Sequence, residues 1–125
     1  MEIQWFSKNL QGVATIYETN ITLNTVASSY FKNAFAALIG FNKKENVLLI
    51  KALNKEEAKL GNYSSIDLHD ISIKPSYGRI NGKGIVKSIS EFFPMDFEQQ
   101  KLYKFNCSWD ESNKYLKIYL KEEIK

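Results

Sequence analysis

The sequence predicts a small α+β domain, mostly antiparallel sheet, built from two similar units of strand, short helix and hairpin. Three observations lead there. Apolar and polar residues alternate in several short segments, apolar residues recur at helical spacing in two stretches between them, and a constant offset of 68 residues lays one hairpin on the other without a gap. At 125 residues the chain fits one domain, 1–125, and 44% apolar with 14% aromatic content is enough for a packed core.

Taken in order, Ile3–Lys8 and Val13–Thr19 read as strands around the polar turn Asn9-Leu10-Gln11-Gly12. Ile21–Leu23 is a third extended piece, leading into Asn24, whose side-chain oxygen can cap a helix. Val26, Ala27, Tyr30 and Phe31 then give a short helix to about Asn33. Phe35–Asn42 and Val47–Leu53 form a hairpin around Lys43-Lys44-Glu45-Asn46, and Lys55–Leu60 one helical turn ended by Gly61-Asn62. Ile66–Lys74 reads as a strand with a bulge near His69-Asp70, because Leu68 and then Ile71 and Ile73 change parity. Pro75 ends it, and Ser76–Ile80 leads into Asn81, a second expected cap. Ile85, Ile89 and Phe92/Phe93 mark a helix that Pro94 stops. After a loop over Met95–Gln100, Lys101–Trp109 and Lys114–Lys121 alternate around Asp110–Asn113, with Tyr103, Phe105, Cys107 and Trp109 on one face.

At the offset of 68, Phe35 falls on Tyr103, Phe41 on Trp109, Asn42 on Asp110, Leu48 on Leu116 and Ile50 on Ile118. Upstream, Leu23-Asn24 matches Ile80-Asn81, so the repeat units span about 15–53 and 72–120. A duplication of this kind packs two copies about a pseudo-twofold axis and shares one core. The alternative is coincidence, since any two hairpins have alternation and a polar turn in common.

The half-unit resembles the AbrB/MraZ type of swapped-hairpin transcription regulator, in which a Gly-Arg-hydrophobic step leads into a short helix and then a hairpin. Gly78-Arg79-Ile80 stands at that step in the second half and Ile21-Thr22-Leu23 at the matching place in the first. The resemblance implies a tandem fold and DNA binding. The chain departs from the family at Pro75-Ser76-Tyr77, where an Asp precedes the step. It departs again at Thr25 and Gly82, where a Pro opens the helix, and the family's helix arginine has no counterpart.

Composition narrows the chemistry. One cysteine excludes an intrachain disulfide, and a four-ligand Cys/His zinc site fails by count. Met1–Trp5 has no signal-peptide character and no run approaches a membrane span, so the expected setting is cytoplasmic, with neither membrane nor metal as partner. Net charge is a mild +3, so a nucleic-acid footprint has to be local. One such stretch is 71–90, where Lys74, Arg79, Lys83 and Lys87 occur without an acid; a solvated face is the bland alternative.

Gly78-Arg79-Ile80-Asn81-Gly82-Lys83-Gly84 is one residue short of a phosphate loop and has Gly84 where the hydroxyl belongs. Arg79 is the single arginine, and its planar fork suits a guanine edge or a phosphate; an ordinary salt bridge is the alternative. His69 beside Asp70 suggests acid–base chemistry, but neighbours on a strand point to opposite faces. Cys107 lies between Phe105 and Trp109, where a thiol is a small hydrophobe. Tyr17, Tyr63, Tyr77, Tyr115 and Tyr119, with Lys114, Lys117 and Lys121, offer either a base-stacking surface or cross-strand pairs. The sequence therefore reads as a non-enzymatic, cofactor-free DNA-binding regulator acting through Lys74, Arg79, Lys83 and Lys87. The second reading is a protein-interaction or accessory module, whose partner is another protein or a further copy of the chain.

Overall fold

A computed structural model of the chain describes residues 2–4, 11–61, 63–64 and 67–124. Its elements in chain order are β1 (Gly12–Tyr17), β2 (Asn20–Leu23), α1 (Thr25–Ser29), β3 (Ala36–Asn42), β4 (Val47–Leu53), α2 (Lys55–Leu60), β5 (Ser72–Ile73), β6 (Gly78–Asn81), α3 (Lys83–Phe92), β7 (Leu102–Asp110) and β8 (Tyr115–Ile124). The strands make one sheet in the order β3-β4-β8-β7-β1-β2-β6-β5, antiparallel throughout. The stretch around β5 serves both edges: His69 exchanges two 2.9 Å backbone hydrogen bonds with Ala37 of β3, and Ser72-Ile73 pair with β6. The sheet therefore curls back on itself, with one face inside and the other forming the exterior.

Helix α1 starts where Asn24 stops the extended chain. Its Oδ1 accepts the Ala27 N–H at 3.0 Å and the Val13 N–H at 3.1 Å, and its Nδ2 donates to the Gln11 carbonyl at 3.0 Å. One side chain thus caps the helix and fastens it to β1. The α-helix ends at Ser29, earlier than the expected Asn33, and Phe31 continues inward from a following turn. Asn54 and Glu57 form a reciprocal capping box for α2. Gly61 closes α2 with φ −77, so no left-handed cap is involved.

Three expectations are corrected. Ile3 and Gln4 are not in a strand, and residues 5–10, the rest of the first expected strand and the first half of its turn, lie outside the described residues. The strand expected over 66–74 reduces to the His69 bridge and β5, because the chain leaves the ladder at the parity change, and Ile66 lies outside the described residues. Asn81 does not cap α3. It is the last residue of β6, in register with Asn20, and Gly82 takes the N-cap place without a side-chain bond. The extra residue is needed because the chain must turn from the sheet over its inner face. Gly82 does so at φ +159, where an added Cβ would lie 2.8 Å from Ile85 Cδ1.

The two hairpins agree beyond their alternation. Both turns have four residues and end in a left-handed residue, Asn46 (φ 56) or Lys114 (φ 57). In each, the residue that opens the turn accepts a backbone N–H three positions on: Glu45 to Asn42 Oδ1 at 3.2 Å and Asn113 to Asp110 Oδ1 at 3.1 Å. Strands β4 and β8 pair about Leu49↔Lys117, themselves 68 apart, so the register reads the same from either strand. Ala52 N–H donates to the Lys114 carbonyl and Leu120 N–H to that of Asn46, a reciprocal pair at the same offset. A second local twofold passes between Thr22 and Arg79, with Ile21 opposite Ile80 and Leu23 opposite Gly78.

The inner face holds a single core that includes Ala14, Ile16, Ile21, Leu23, Ile50, Ile80, Phe105, Leu116 and Ile118, covered by α1 and α3 through Ala27, Phe31, Val86 and Ile89. Each helix reaches the hairpin of the other half of the chain. Just past α1, Tyr30 stacks on Trp109 of β7 (centroids 4.9 Å, planes 3° apart), and Phe92 of α3 stacks on Phe41 of β3 (5.3 Å, 24°).

Asn24→Ala removes three hydrogen bonds at once and leaves Val13 and Ala27 without their acceptor. It is expected to destabilise the fold by about 2 kcal/mol or more, beyond the ~1 kcal/mol of an ordinary N-cap. Urea unfolding of the two proteins measures this.

Candidate functional site

The exterior face of β1, β2 and β6 gathers polar side chains from across the chain. Arg79 lies on it, since its neighbours Gly78 and Ile80 are buried inward. Register places Lys104 beside Thr15, Thr15 beside Thr22, Thr22 beside Arg79 and Arg79 beside Ser72, one continuous row over β7, β1, β2, β6 and β5. At ~4.8 Å per strand, Lys104 and Arg79 stand about 14 Å apart along it. Asn20 and Asn81 form the adjacent rung, with the Thr22 hydroxyl donating to Asn20 Oδ1 at 2.8 Å. None of these residues is a carboxylate.

Arg79 makes no ion pair among the described residues, so the salt-bridge alternative fails. Its Cζ sits 5.2 Å from the Tyr77 ring centroid, a cation–π contact that leaves the guanidinium fork open. The platform beneath it is tied down twice. The Thr25 hydroxyl donates to the Ser76 carbonyl at 3.0 Å, and the Lys74 N–H donates to that of Tyr77 at 2.8 Å. Lys74 is opposite Tyr77 in that turn, so it projects to the same side as Arg79.

The structure does not bring all four basic residues of 71–90 to one surface. Lys83 and Lys87 lie one helical turn apart on α3, beneath the sheet, lining a small crevice of about 250 Å³ with Glu18, Ser90 and Phe97. Lys74 and Arg79 are together; Lys83 and Lys87 are not with them. Sequence reading missed Lys104 and Thr22, because cross-strand neighbours leave no local signature; Thr15, between them in the row, is itself buried.

The remaining candidates resolve plainly. The glycine-rich string is split between β6, which pairs only antiparallel, and α3, and the Gly82 N–H is occupied by the Thr19 carbonyl at 2.8 Å. It is no phosphate loop. His69 and Asp70 share no side-chain hydrogen bond, and His69 closes the sheet through its backbone. Tyr115, Lys117, Tyr119 and Lys121 share the outer face of β8, where the Tyr119 and Ser108 hydroxyls hydrogen-bond at 2.6 Å, a cross-strand contact. Asn113 holds the Asp110 carboxyl below its ordinary pKa, chiefly by a side-chain hydrogen bond, and Lys114 does the same for Glu111. Both belong to the β7–β8 turn. Among the described residues, no three His, Cys, Asp or Glu groups meet as metal ligands, and no helix is long and apolar enough to cross a membrane.

No protein-family model, curated protein or solved structure matches the chain.

Cys107 is 2% exposed, and burial pushes its thiol up to about 12. The unfolded thiol ionises near pH ~8.5 while the folded one stays protonated, so stability held below that pH falls as pH rises toward 12. Above pH ~8.5 the fall should be shallower in Cys107→Ala by up to about 1.4 kcal/mol per pH unit. Thiol reagents should label native protein only as fast as it unfolds. Rapid native labelling would refute the inert-core assignment.

Proposed function

We propose that the chain is a small non-enzymatic DNA-binding regulator, made of two interlocked copies of one strand–helix–hairpin unit, that contacts duplex DNA through the outer face centred on Thr22 and Arg79. The observation that carries this reading is the pairing of Ile21-Thr22-Leu23 with Gly78-Arg79-Ile80 about a local twofold, the very segments that correspond in the two halves. The matched turns, the reciprocal bonds of Asn46 and Lys114, and the exchanged aromatic contacts support duplication in the same way.

The chemistry suits a duplex. The face is the convex side of a curled sheet and carries Lys74, Arg79 and Lys104 among hydroxyls and amides. Cations neutralise phosphates, while Asn20, Thr22 and Asn81 offer donors and acceptors to phosphate oxygens or base edges. Arg79 alone can bind a guanine edge bidentately, and its twofold counterpart is Thr22, so the preferred site is asymmetric. Lys83 and Lys87, on the other side of the sheet, are not part of this contact.

A salt series on random and enriched duplexes tests the reading. Affinity should fall steeply with salt, and Lys74→Ala and Lys104→Ala should each reduce the slope of log K against log salt by roughly one. Lys87→Ala should leave it unchanged. Arg79→Lys should cost about 1–3 kcal/mol on the preferred site and little on random DNA. No binding at low salt, or equal effects from Lys87 and Lys104, would sink it.

A further inference from the structure

Strand β3 and helix α3 enclose a groove of about 480 Å³ between Ile39, Phe41 and Leu48 on one side and Ile85, Ile89 and Phe92 on the other. Ala37 directs both its backbone groups to His69, so strand alternation directs those of Ile39 and Phe41 off the same edge. No partner meets them there among the described residues. An unpaired edge beside an apolar trough, with a helix as its far wall, is the geometry of β-strand addition. Gly84 widens it: an added Cβ there would meet nothing within 4 Å. Phe92, at 47% exposed, stays open to contact.

Charge identifies the occupant. No acidic residue lines the groove: Glu91 and Asp70, next in sequence to its Phe92 and His69, are not among its walls, and Asp67 lies beside Ile39, Gly40 and His69 in the neighbouring hollow. At the end where β3 runs out, Lys43 makes no ion pair among the described residues and rests its ammonium 4.9 Å from the Phe92 ring centroid. We propose that this groove binds an extended peptide, added antiparallel to β3, with acidic residues at Lys43 followed by two apolar residues one position apart. The peptide residues opposite Ile39 and Phe41 share their inward direction and enter the trough, while the residue between them faces out. The acidic residues come first because an antiparallel strand begins where β3 ends. The groove lies across the sheet from Thr22 and Arg79, so peptide binding stands or falls independently of DNA binding.

The probe is a fluorescein-labelled hexapeptide of two aspartates followed by alternating phenylalanine and threonine. Controls replace the phenylalanines by serine or the aspartates by lysine, and all are titrated by fluorescence polarisation. Saturable binding of the parent peptide is expected, lost in both controls. Gly84→Leu fills the trough from the helix side and should weaken binding about tenfold or more, with an unchanged or higher thermal midpoint, since glycine inside a helix is replaced. Lys43→Glu should weaken it too. In the wild type, added peptide should slow hydrogen exchange at the Ile39 and Phe41 amides, a readout that needs no variant. Absence of saturable binding, full affinity in Gly84→Leu, or unchanged exchange at both amides would overturn the proposal. So would a concentration-dependent dimer in sedimentation that Gly84→Leu abolishes, which would assign the edge to a second copy.

Discussion

Neither hairpin of this protein buries its apolar face within its own half of the chain. Strands β7 and β8 are extended by β1, which pairs with β7 over six residues, and are covered by α1 with Phe31 and Tyr30; all of these come from the first half. Strand β3 is closed by His69 and contacted by Phe92, both from the second. An isolated two-stranded hairpin is marginal in water, so each half depends on the other for the apolar contacts that hold it. The shared core, with Phe105, Ile16 and Ile80 fully inside, follows from that exchange.

The exchange also explains why the outer face of β1, β2 and β6 is a firm platform. β2 and β6 each pair on both sides, β6 with the short β5 as its outer neighbour, both are backed by helix, and the loop before β6 is fastened to the start of α1 through Thr25 and Ser76. Arg79 thus projects from regular sheet, with its aliphatic neighbours anchored in the core. A side chain on such a scaffold holds its geometry better than one on a loop, which is what discrimination between bases demands.

The same arrangement leaves its two halves unequal. β7 is covered along its edge by β1, whereas β3, the first strand of the other hairpin, is held on its outer edge by the His69 bridge among the described residues. The difference arises because the chain joins this edge only at His69, so that Ile39 and Phe41 have no backbone partner among the described residues. Two similar hairpins therefore acquire different surfaces. One edge is sealed, and the other is a groove with a cation at its end.

Much of this was legible in the sequence, for local reasons. Alternation specified β3, β4, β7 and β8, because a one-residue slip would turn every apolar side chain to water. Asn24 announced a helix start through its own hydrogen bonds, and Pro94 set the end of α3. The inert character of Cys107 could be read from its apolar neighbours in the alternation, and burial is what raises its pKa. Asn81 was misjudged as the cap of α3: the place falls to Gly82, because of the direction α3 must take to reach the inner face. Strand order, the pairing of Thr22 with Arg79, and the separation of Lys83 and Lys87 from Arg79 were decided only by the tertiary fold. They depend on contacts between residues distant in sequence. The hydrophobic effect that forms them has no direction of its own, and only the closing of one core over both halves determines which faces meet.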